Sequence, residues 1–66
     1  MDKKAIGRRL RELRGVFRTR AEVSKATGIE RSKISRYEND IVVPTDEDKE
    51  KFSKYYAVSI EQLFYT

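Results

Sequence analysis

Residues 19–39, which read TRAEVSKATGIERSKISRYEN, constrain the fold of this chain more than any other stretch. Thr19 and Glu22 have the spacing of a capping box, in which a hydroxyl and a carboxylate bond free backbone amides where a helix begins. Gly28 suits the left-handed backbone conformation that ends a helix, and a second periodic segment begins soon after it. The stretch therefore predicts two helices joined by a short turn that contains glycine.

The second of these helices is predicted to span about residues 31–39 and to bury Ile34 and Tyr37. Its opposite surface is basic and polar, with almost no acid before Glu38. This surface carries Arg31, Ser32, Lys33, Ser35 and Arg36. Arginine can bond both O6 and N7 of guanine in the major groove, and serine can bond several base edges. We favour a helix-turn-helix that meets DNA, and the alternative is a solvated basic face without a ligand.

Phosphate contacts are expected beside this base-reading surface. The first helix of the pair, about residues 20–27, begins at Thr19 and Arg20, where backbone N–H groups and the helix dipole favour an anion. Capping alone also explains Thr19. Lys33 and Asn39 suit phosphate contacts, which set the register of a protein on DNA but carry little sequence information.

The charge of the chain is distributed unevenly. Residues 1–40 contain 12 Lys and Arg against 6 Asp and Glu, whereas residues 41–66 contain 3 against 5. The net charges are +6 and −2, and together they give the total of +4. This asymmetry indicates a basic face that meets a polyanion, although surplus cations could also serve only to keep a small protein soluble.

The composition argues against several other classes of protein. The 66 residues allow one domain, and they include no cysteine and no histidine. Disulfides, thiolate zinc sites and the commonest general base are therefore excluded, and we expect neither an enzyme nor a metal or cofactor. The longest apolar run, Tyr55–Val58, is far too short to span a membrane, so we expect a cytoplasmic protein.

Three further helices complete the predicted fold. The N-terminal segment Lys3–Arg14 is amphipathic, and capping boxes begin helices at Thr45 and at Ser59. Val16 and Phe17 are predicted to plug the junction between the first two helices. The residues expected on inner faces are Ile6, Leu10, Leu13, Val23, Ala26, Phe52, Tyr55, Tyr56, Ile60, Leu63 and Phe64.

The resulting prediction is an all-α fold, a compact bundle of five short helices in a single domain that spans residues 1–66. The fourth helix is predicted from about Asp46 to Tyr55 or Tyr56. Residues 40–44 could form a short strand, but three apolar residues without a pairing partner favour a loop.

Several segments match one protein family in the family's order. They are Ile6–Gly7, Leu10, Leu13, Thr19–Arg20, Val23, Gly28–Ile29, SKISRYEN at 32–39, Pro44 and VSIEQLF at 58–64. In these segments the chain resembles the helix-turn-helix family of phage lambda-type repressors, Cro proteins and related small bacterial regulators. The resemblance covers nearly the whole chain, and the block ISRYEN is its most specific part.

This resemblance implies a sequence-specific DNA-binding transcription regulator, a repressor or Cro-like protein of a phage or mobile element, associated with the nucleoid when bound. The base-facing positions would be Arg31, Ser32, Ser35 and Arg36. The phosphate-facing positions would be Thr19, Arg20 and Asn39. The family often pairs an arginine of the first helix with the glutamate that ends the recognition helix, which here implies an ion pair between Arg14 and Glu38.

The chain departs from the family pattern at four places, the first being a connection between helices one and two that is one residue shorter than usual. Arg18 stands where an apolar residue is common, so Val16 or Phe17 is expected to fill that space. Lys49 and Asp46 stand where the fourth helix usually turns apolar residues inward, which is expected to weaken its packing. The loop after the recognition helix is often basic, but here it reads Ile41, Val42 and Val43.

The apolar loop and the C-terminus leave two questions open. Residues 41–43 could meet a protein, and the alternative function is therefore an adaptor or antagonist that keeps the fold but acts on another regulator or a polymerase subunit. Leu63, Phe64 and Tyr65 are the candidate surface of a homodimer that would bind two half-sites. Leu63 and Phe64 could equally close the core of the chain itself.

Overall fold

The computed structural model describes residues 2–65, and within that range it contains five α-helices and no strand. The helices are α1 (Lys3–Arg14), α2 (Arg20–Thr27), α3 (Arg31–Glu38), α4 (Asp46–Tyr56) and α5 (Ile60–Phe64). The predicted all-α class and the five-helix bundle are confirmed. α3 ends one residue earlier than predicted, because Asn39 leaves the helical conformation and its N–H caps the last turn at Ser35.

Side-chain caps begin four of the helices, and three of them were predicted from the sequence spacing. Thr19, Thr45 and Ser59 each accept a hydrogen bond from the backbone N–H three residues later, at 3.1, 3.1 and 3.0 Å. Asp2 does the same for α1 by accepting from Lys4 and Ala5. Each bond satisfies an amide that has no partner inside the helix, so the starts of these helices are set locally.

The core lies where all five helices meet. Its fully buried apolar members are Ile6, Leu10, Val23, Ile29, Ile34, Tyr37, Phe52, Leu63 and Phe64. Tyr37 meets Phe52 edge to face with ring centroids 6.0 Å apart, and Phe52 stacks on Tyr56 at 6.1 Å. The prediction for Ala26 is wrong, because that residue is exposed at the outer side of α2.

The close contact of α1 with α3 depends on Gly7. A Cβ atom at this position would lie 2.1 Å from Oδ1 of Asp40 and 3.0 and 3.1 Å from the carbonyl oxygens of Tyr37 and Glu38. Only a residue without a side chain lets the backbone of α1 approach the end of α3 this closely. This contact holds the C-terminal end of α3 against α1.

The turn between α1 and α2 contradicts the prediction for Val16 and Phe17. These side chains are 91% and 95% exposed and plug nothing. Arg18 covers the space instead, since its guanidinium lies 5.5 and 5.7 Å from the ring centroids of Tyr55 and Tyr56. A cation stacked on two aromatic faces serves here as the cover that an apolar residue would otherwise provide.

The C-terminal helix closes the core. Leu63 and Phe64 are buried within the chain, whereas Tyr65 is exposed. The predicted dimer surface is therefore wrong for Leu63 and Phe64. These residues belong to α5, which packs on α1 and α4 and turns both side chains into the core. A second copy cannot reach them without unfolding this helix.

Lys49 is buried and has several polar and aromatic contacts. Its Nζ atom donates to the hydroxyl of Tyr65 at 3.2 Å and lies 3.5 Å from Oδ1 of Asp46. It also lies 5.7 Å from the centre of the Phe64 ring. These contacts compensate the ammonium for lost water. Asp46 does not turn inward, since its side chain is 98% exposed.

Residues 40–44 form a loop, as predicted. Asp40 has a φ of 66°, and the N–H of Ile41 donates to the carbonyl of Arg36, which ends α3 in a left-handed turn. Val43 packs against the core and Pro44 is buried, while Ile41 and Val42 face solvent. No described helix is long and apolar enough to cross a lipid bilayer.

Candidate nucleic-acid interface

The outer surface of α3 is cationic and open to solvent. Arg31, Ser32, Lys33 and Arg36 are exposed, and Ser35 is half-buried. At 3.6 residues per turn, positions 31, 32, 35 and 36 lie side by side on one face, with Lys33 at its edge. The buried residues Ile34, Tyr37 and Glu38 occupy the other face and hold the helix on the core.

The end of α3 orients the half-buried serine. Nδ2 of Asn39 donates to Oγ of Ser35 at 3.1 Å. The hydroxyl uses a lone pair in this bond and keeps its own hydrogen for another acceptor. The structure thus joins Asn39, expected at phosphate, to Ser35, expected at a base edge.

The start of α2 opens into a shallow cationic cleft of about 720 Å³. The cleft is lined by Arg14, Val16, Arg18, Thr19, Arg20, Ala21 and Arg31. Thr19 uses its hydroxyl oxygen to cap α2, and the other free amides of the first turn lie nearby. Four arginines at the positive end of a helix dipole favour an anionic occupant.

Glu38 is the centre of an ion-pair network beneath this cleft. Its side chain is 1% exposed. Oε2 lies 2.9 Å from Nε of Arg14, and Oε1 lies 2.9 Å from Nε of Arg20. The backbone carbonyl of Glu38 accepts a further hydrogen bond from Arg11. The structure therefore brings together Arg14 and Glu38, the pair that the resemblance implied, and adds two arginines to it.

Arg20 has a different position from the one expected of a simple phosphate ligand. Its Nε donates to the buried carboxylate, while the side chain as a whole remains 37% exposed at the cleft. Sequence reasoning assigned Arg20 to phosphate alone and did not connect Arg11 with this site. The available signal was Glu38 itself, the only acid of α3, since a carboxylate that becomes buried requires cationic partners.

Two tyrosines, Tyr37 and Tyr56, lie within the helical bundle that supports the α3 surface, Tyr37 buried and Tyr56 half-buried. Burial, followed by the neighbouring carboxylate of Glu38, raises the pKa of Tyr56 to about 12. Burial and the hydrogen bond that its hydroxyl donates to Asp48 raise the pKa of Tyr37 to about 12. Both tyrosines are therefore neutral at physiological pH and add no charge to the cationic surface above them.

The apolar loop lies beside the end of α3. Ile41 and Val42 are 58% and 39% exposed, whereas Val43 is packed against the core. Two of the three residues predicted to form a protein-binding patch are thus available to a partner. Within residues 2–65 there is no cluster of His, Cys, Asp or Glu that could hold a metal ion.

A profile of the helix-turn-helix domain family matches residues 5–63. The chain belongs to the helix-turn-helix domain family. This match spans all but the outermost residues of the described structure. No curated protein and no solved structure was found to match the chain.

The helix-turn-helix itself consists of α2, the turn at residues 28–30, and α3. Gly28 ends α2 with φ 80° and ψ 5°, the left-handed conformation that its position in the sequence predicts. Ile29 is buried in the core directly after it, and its N–H donates to Oγ1 of Thr27. The buried isoleucine holds the turn on the core, so the exposed face of α3 has a defined direction.

Proposed function

We propose that this chain is a single-domain, sequence-specific DNA-binding transcription regulator of the lambda-repressor and Cro type, belonging to a phage or mobile element and acting on the nucleoid in the cytoplasm. One observation supports this most directly. Arg31 belongs both to the exposed face of α3 and to the lining of the cationic cleft at the start of α2. The surface that we propose to read bases and the cleft that we propose to bind phosphate therefore share this residue.

In this proposal α3 enters the major groove. Arg31, Ser32, Ser35 and Arg36 contact base edges, and the two arginines provide most of the discrimination because each can bond guanine at two atoms. A phosphate of the flanking strand lies in the cleft, where Thr19 and Arg20 meet it. Lys33 and Asn39 contact phosphate at the edges of the same helix.

The fixed orientation of α3 supports base reading. Gly7 lets α1 pack closely on the end of α3, and Glu38 joins that end to Arg14 of α1 and to Arg20 of α2. Base reading requires side chains held in one register, since a shift of the helix would move each donor away from its acceptor. The ion-pair network thus positions α3 relative to the cationic cleft.

Selection of bound fragments from random double-stranded DNA tests the proposal. We expect a short consensus, and binding to it should weaken with salt at a log–log slope of about −4 to −5, as for ~5 phosphate contacts. A palindromic consensus would indicate two copies on adjacent half-sites. Because Leu63 and Phe64 are buried, those copies would have to meet through other surfaces.

The second candidate is an adaptor or antagonist that binds a protein, and the exposed side chains of Ile41 and Val42 favour it. An adaptor would show little affinity for DNA at physiological salt and would enrich no consensus. It would also lose its partner on substitution of Ile41 by Ser, a change that leaves the α3 surface intact. Recovery of a salt-sensitive consensus by the unmodified chain would exclude this candidate as the main function.

A further inference from the structure

Val16 and Phe17 form an apolar tip at the turn between α1 and α2. They are 91% and 95% exposed, more than any other large apolar side chain among residues 2–65. A single exposed apolar residue is ordinary on a protein surface. Two adjacent ones, with a whole phenylalanine ring in solvent, form a feature that contributes nothing to the core of this domain.

The tip is held outward by the turn that carries it. Nη1 of Arg14 donates to the carbonyl of Arg18 at 2.9 Å, and Nη1 of Arg18 donates to the carbonyl of Leu13 at 3.1 Å. These two bonds tie together the residues on either side of the tip. Since Arg18 also covers Tyr55, the place on the core that Phe17 could have filled is already occupied.

The surroundings of the tip are cationic. The segment 13–21 contains three arginines and no acid. Val16 itself lines the cleft with Arg18 and Arg31. An occupant that covers the tip must therefore also meet these guanidinium groups. A neutral apolar partner would strip water from them without replacing it, which is unfavourable. The occupant that fits is a polyanion with apolar surface between its charges.

A DNA strand has this character, because apolar deoxyribose rings alternate with its phosphates. We propose that Val16 and Phe17 pack against the deoxyribose rings of the DNA strand whose phosphate lies in the cationic cleft. The contact lies on the side of that strand that leads to the neighbouring minor groove. Proteins elsewhere place apolar side chains against or between nucleotides in that groove. The inference rests on the proposed function, and it adds a sequence-independent apolar contact to the binding site.

Substitution Phe17→Ala tests the inference, with binding measured by fluorescence anisotropy on two labelled duplexes, the selected consensus and a scrambled one. We expect Kd to rise about tenfold on both, because a sugar contact does not distinguish bases. The slope of log Kd against log salt should not change, since no charge is removed. Phe17→Leu should retain most of the affinity. Ile41→Ala, which removes an exposed apolar side chain that does not line the cationic cleft, is the matched control and should bind normally.

Three results would overturn the inference. If the unmodified chain binds the consensus and Phe17→Ala binds it equally well, the tip does not contact DNA although the proposed function stands. If the chain binds neither duplex, both proposals fail together. If Phe17→Ala abolishes a concentration-dependent self-association of the free protein in sedimentation velocity and leaves Kd unchanged, the tip serves a second copy. Thermal unfolding should be the same for both Phe17 variants, because the ring contacts almost nothing in the folded chain.

Discussion

Nε of Arg14 lies 2.9 Å from Oε2 of Glu38, and the glutamate that completes this pair is almost fully buried. The other carboxylate oxygen bonds Arg20, so a single acid joins the first helix, the start of the second and the end of the third. Replacing this acid with a neutral residue deprives two arginines of their shared counter-charge at once. Replacing Glu38 should therefore lower the free energy of unfolding strongly.

We expect Glu38→Gln to lower the free energy of unfolding by about 3 kcal/mol, because two arginines lose the buried carboxylate that they share. Arg20→Ala should lower the free energy of unfolding by a smaller amount, because Arg14 still neutralises Glu38. Urea unfolding at neutral pH measures both. Glu12→Gln is the matched control, because Glu12 is exposed and its pair with Arg8 at 4.0 Å should contribute almost nothing. Equal stability of Glu38→Gln and Glu12→Gln would contradict the prediction.

Substitution of a proposed base-reading residue should affect DNA binding differently from substitution of a proposed phosphate ligand. Arg31→Ala or Arg36→Ala should relax selectivity at particular base pairs, each by about 1–3 kcal/mol of discrimination. Lys33→Ala should instead weaken binding to all sequences alike and reduce the salt slope by about 1. Repeating the selection from random DNA with each variant gives the readout. Small and equal effects of all three substitutions would show that α3 does not read bases.

Gly7→Ala should destabilise the protein, although alanine is normally the better helix former. The added methyl group would meet Oδ1 of Asp40 and two backbone carbonyls, so α1 must move away from α3 at a cost of about 1–3 kcal/mol. The loss should be smaller in an Asp40→Gly background. Glycine accepts the φ of 66° at that position and removes the nearest atom. If the loss is identical in both backgrounds, the carbonyls of Tyr37 and Glu38 alone cause it.

Alkaline pH should destabilise the fold through Tyr37. Burial and its hydrogen bond to Asp48 raise the pKa of Tyr37 from 10.0 to about 12, so the folded protein holds this proton more tightly than the unfolded chain. The corresponding stabilisation is complete below pH 10, and it is lost as the pH rises to about 12, because the unfolded chain then binds fewer protons. Urea unfolding over this range should show the decline.

The variant Tyr37→Phe separates this effect from the titration of other groups. It should be less stable at neutral pH by about 1–3 kcal/mol, because the buried carboxylate of Asp48 loses a donor. Its further decline between pH 10 and pH 12 should be shallower than that of the unmodified chain. Tyrosinate absorbance of the folded proteins gives an independent check, since Tyr37→Phe should lose one of the late-titrating groups. Parallel pH profiles of the two proteins would rule out Tyr37 as the cause.

The positions of the helices follow from interactions that span only a few residues. Thr19, Thr45 and Ser59 each cap a helix through an amide three positions along, and Gly28 adopts the left-handed conformation regardless of distant contacts. The periodic placement of Ile34 and Tyr37 likewise determines which face of α3 is buried and leaves Arg31 and Arg36 outside. The fold class and the exposed cationic helix were therefore predictable from the sequence itself.

Other features depend on which side chains compete for the same space. Phe17 and Arg18 are neighbours, and nothing in their local sequence shows that the arginine would cover Tyr55 and Tyr56 while the phenylalanine faces solvent. Leu63 and Phe64 could have formed an outer surface until α5 packed on α1 and α4.

The ion pairs of Glu38 also depend on long-range packing. Its residue type and its position at the end of α3 are visible in the sequence, but its sharing between Arg14 and Arg20 depends on how three helices converge. Capping and periodicity act within one helical turn, so the sequence alone determined the helices and the polar face of α3. Burial and ion pairing join residues that are distant along the chain, so only the tertiary structure decided how Arg14 and Arg20 share Glu38, which residues line the cationic cleft, and that Phe17 faces solvent.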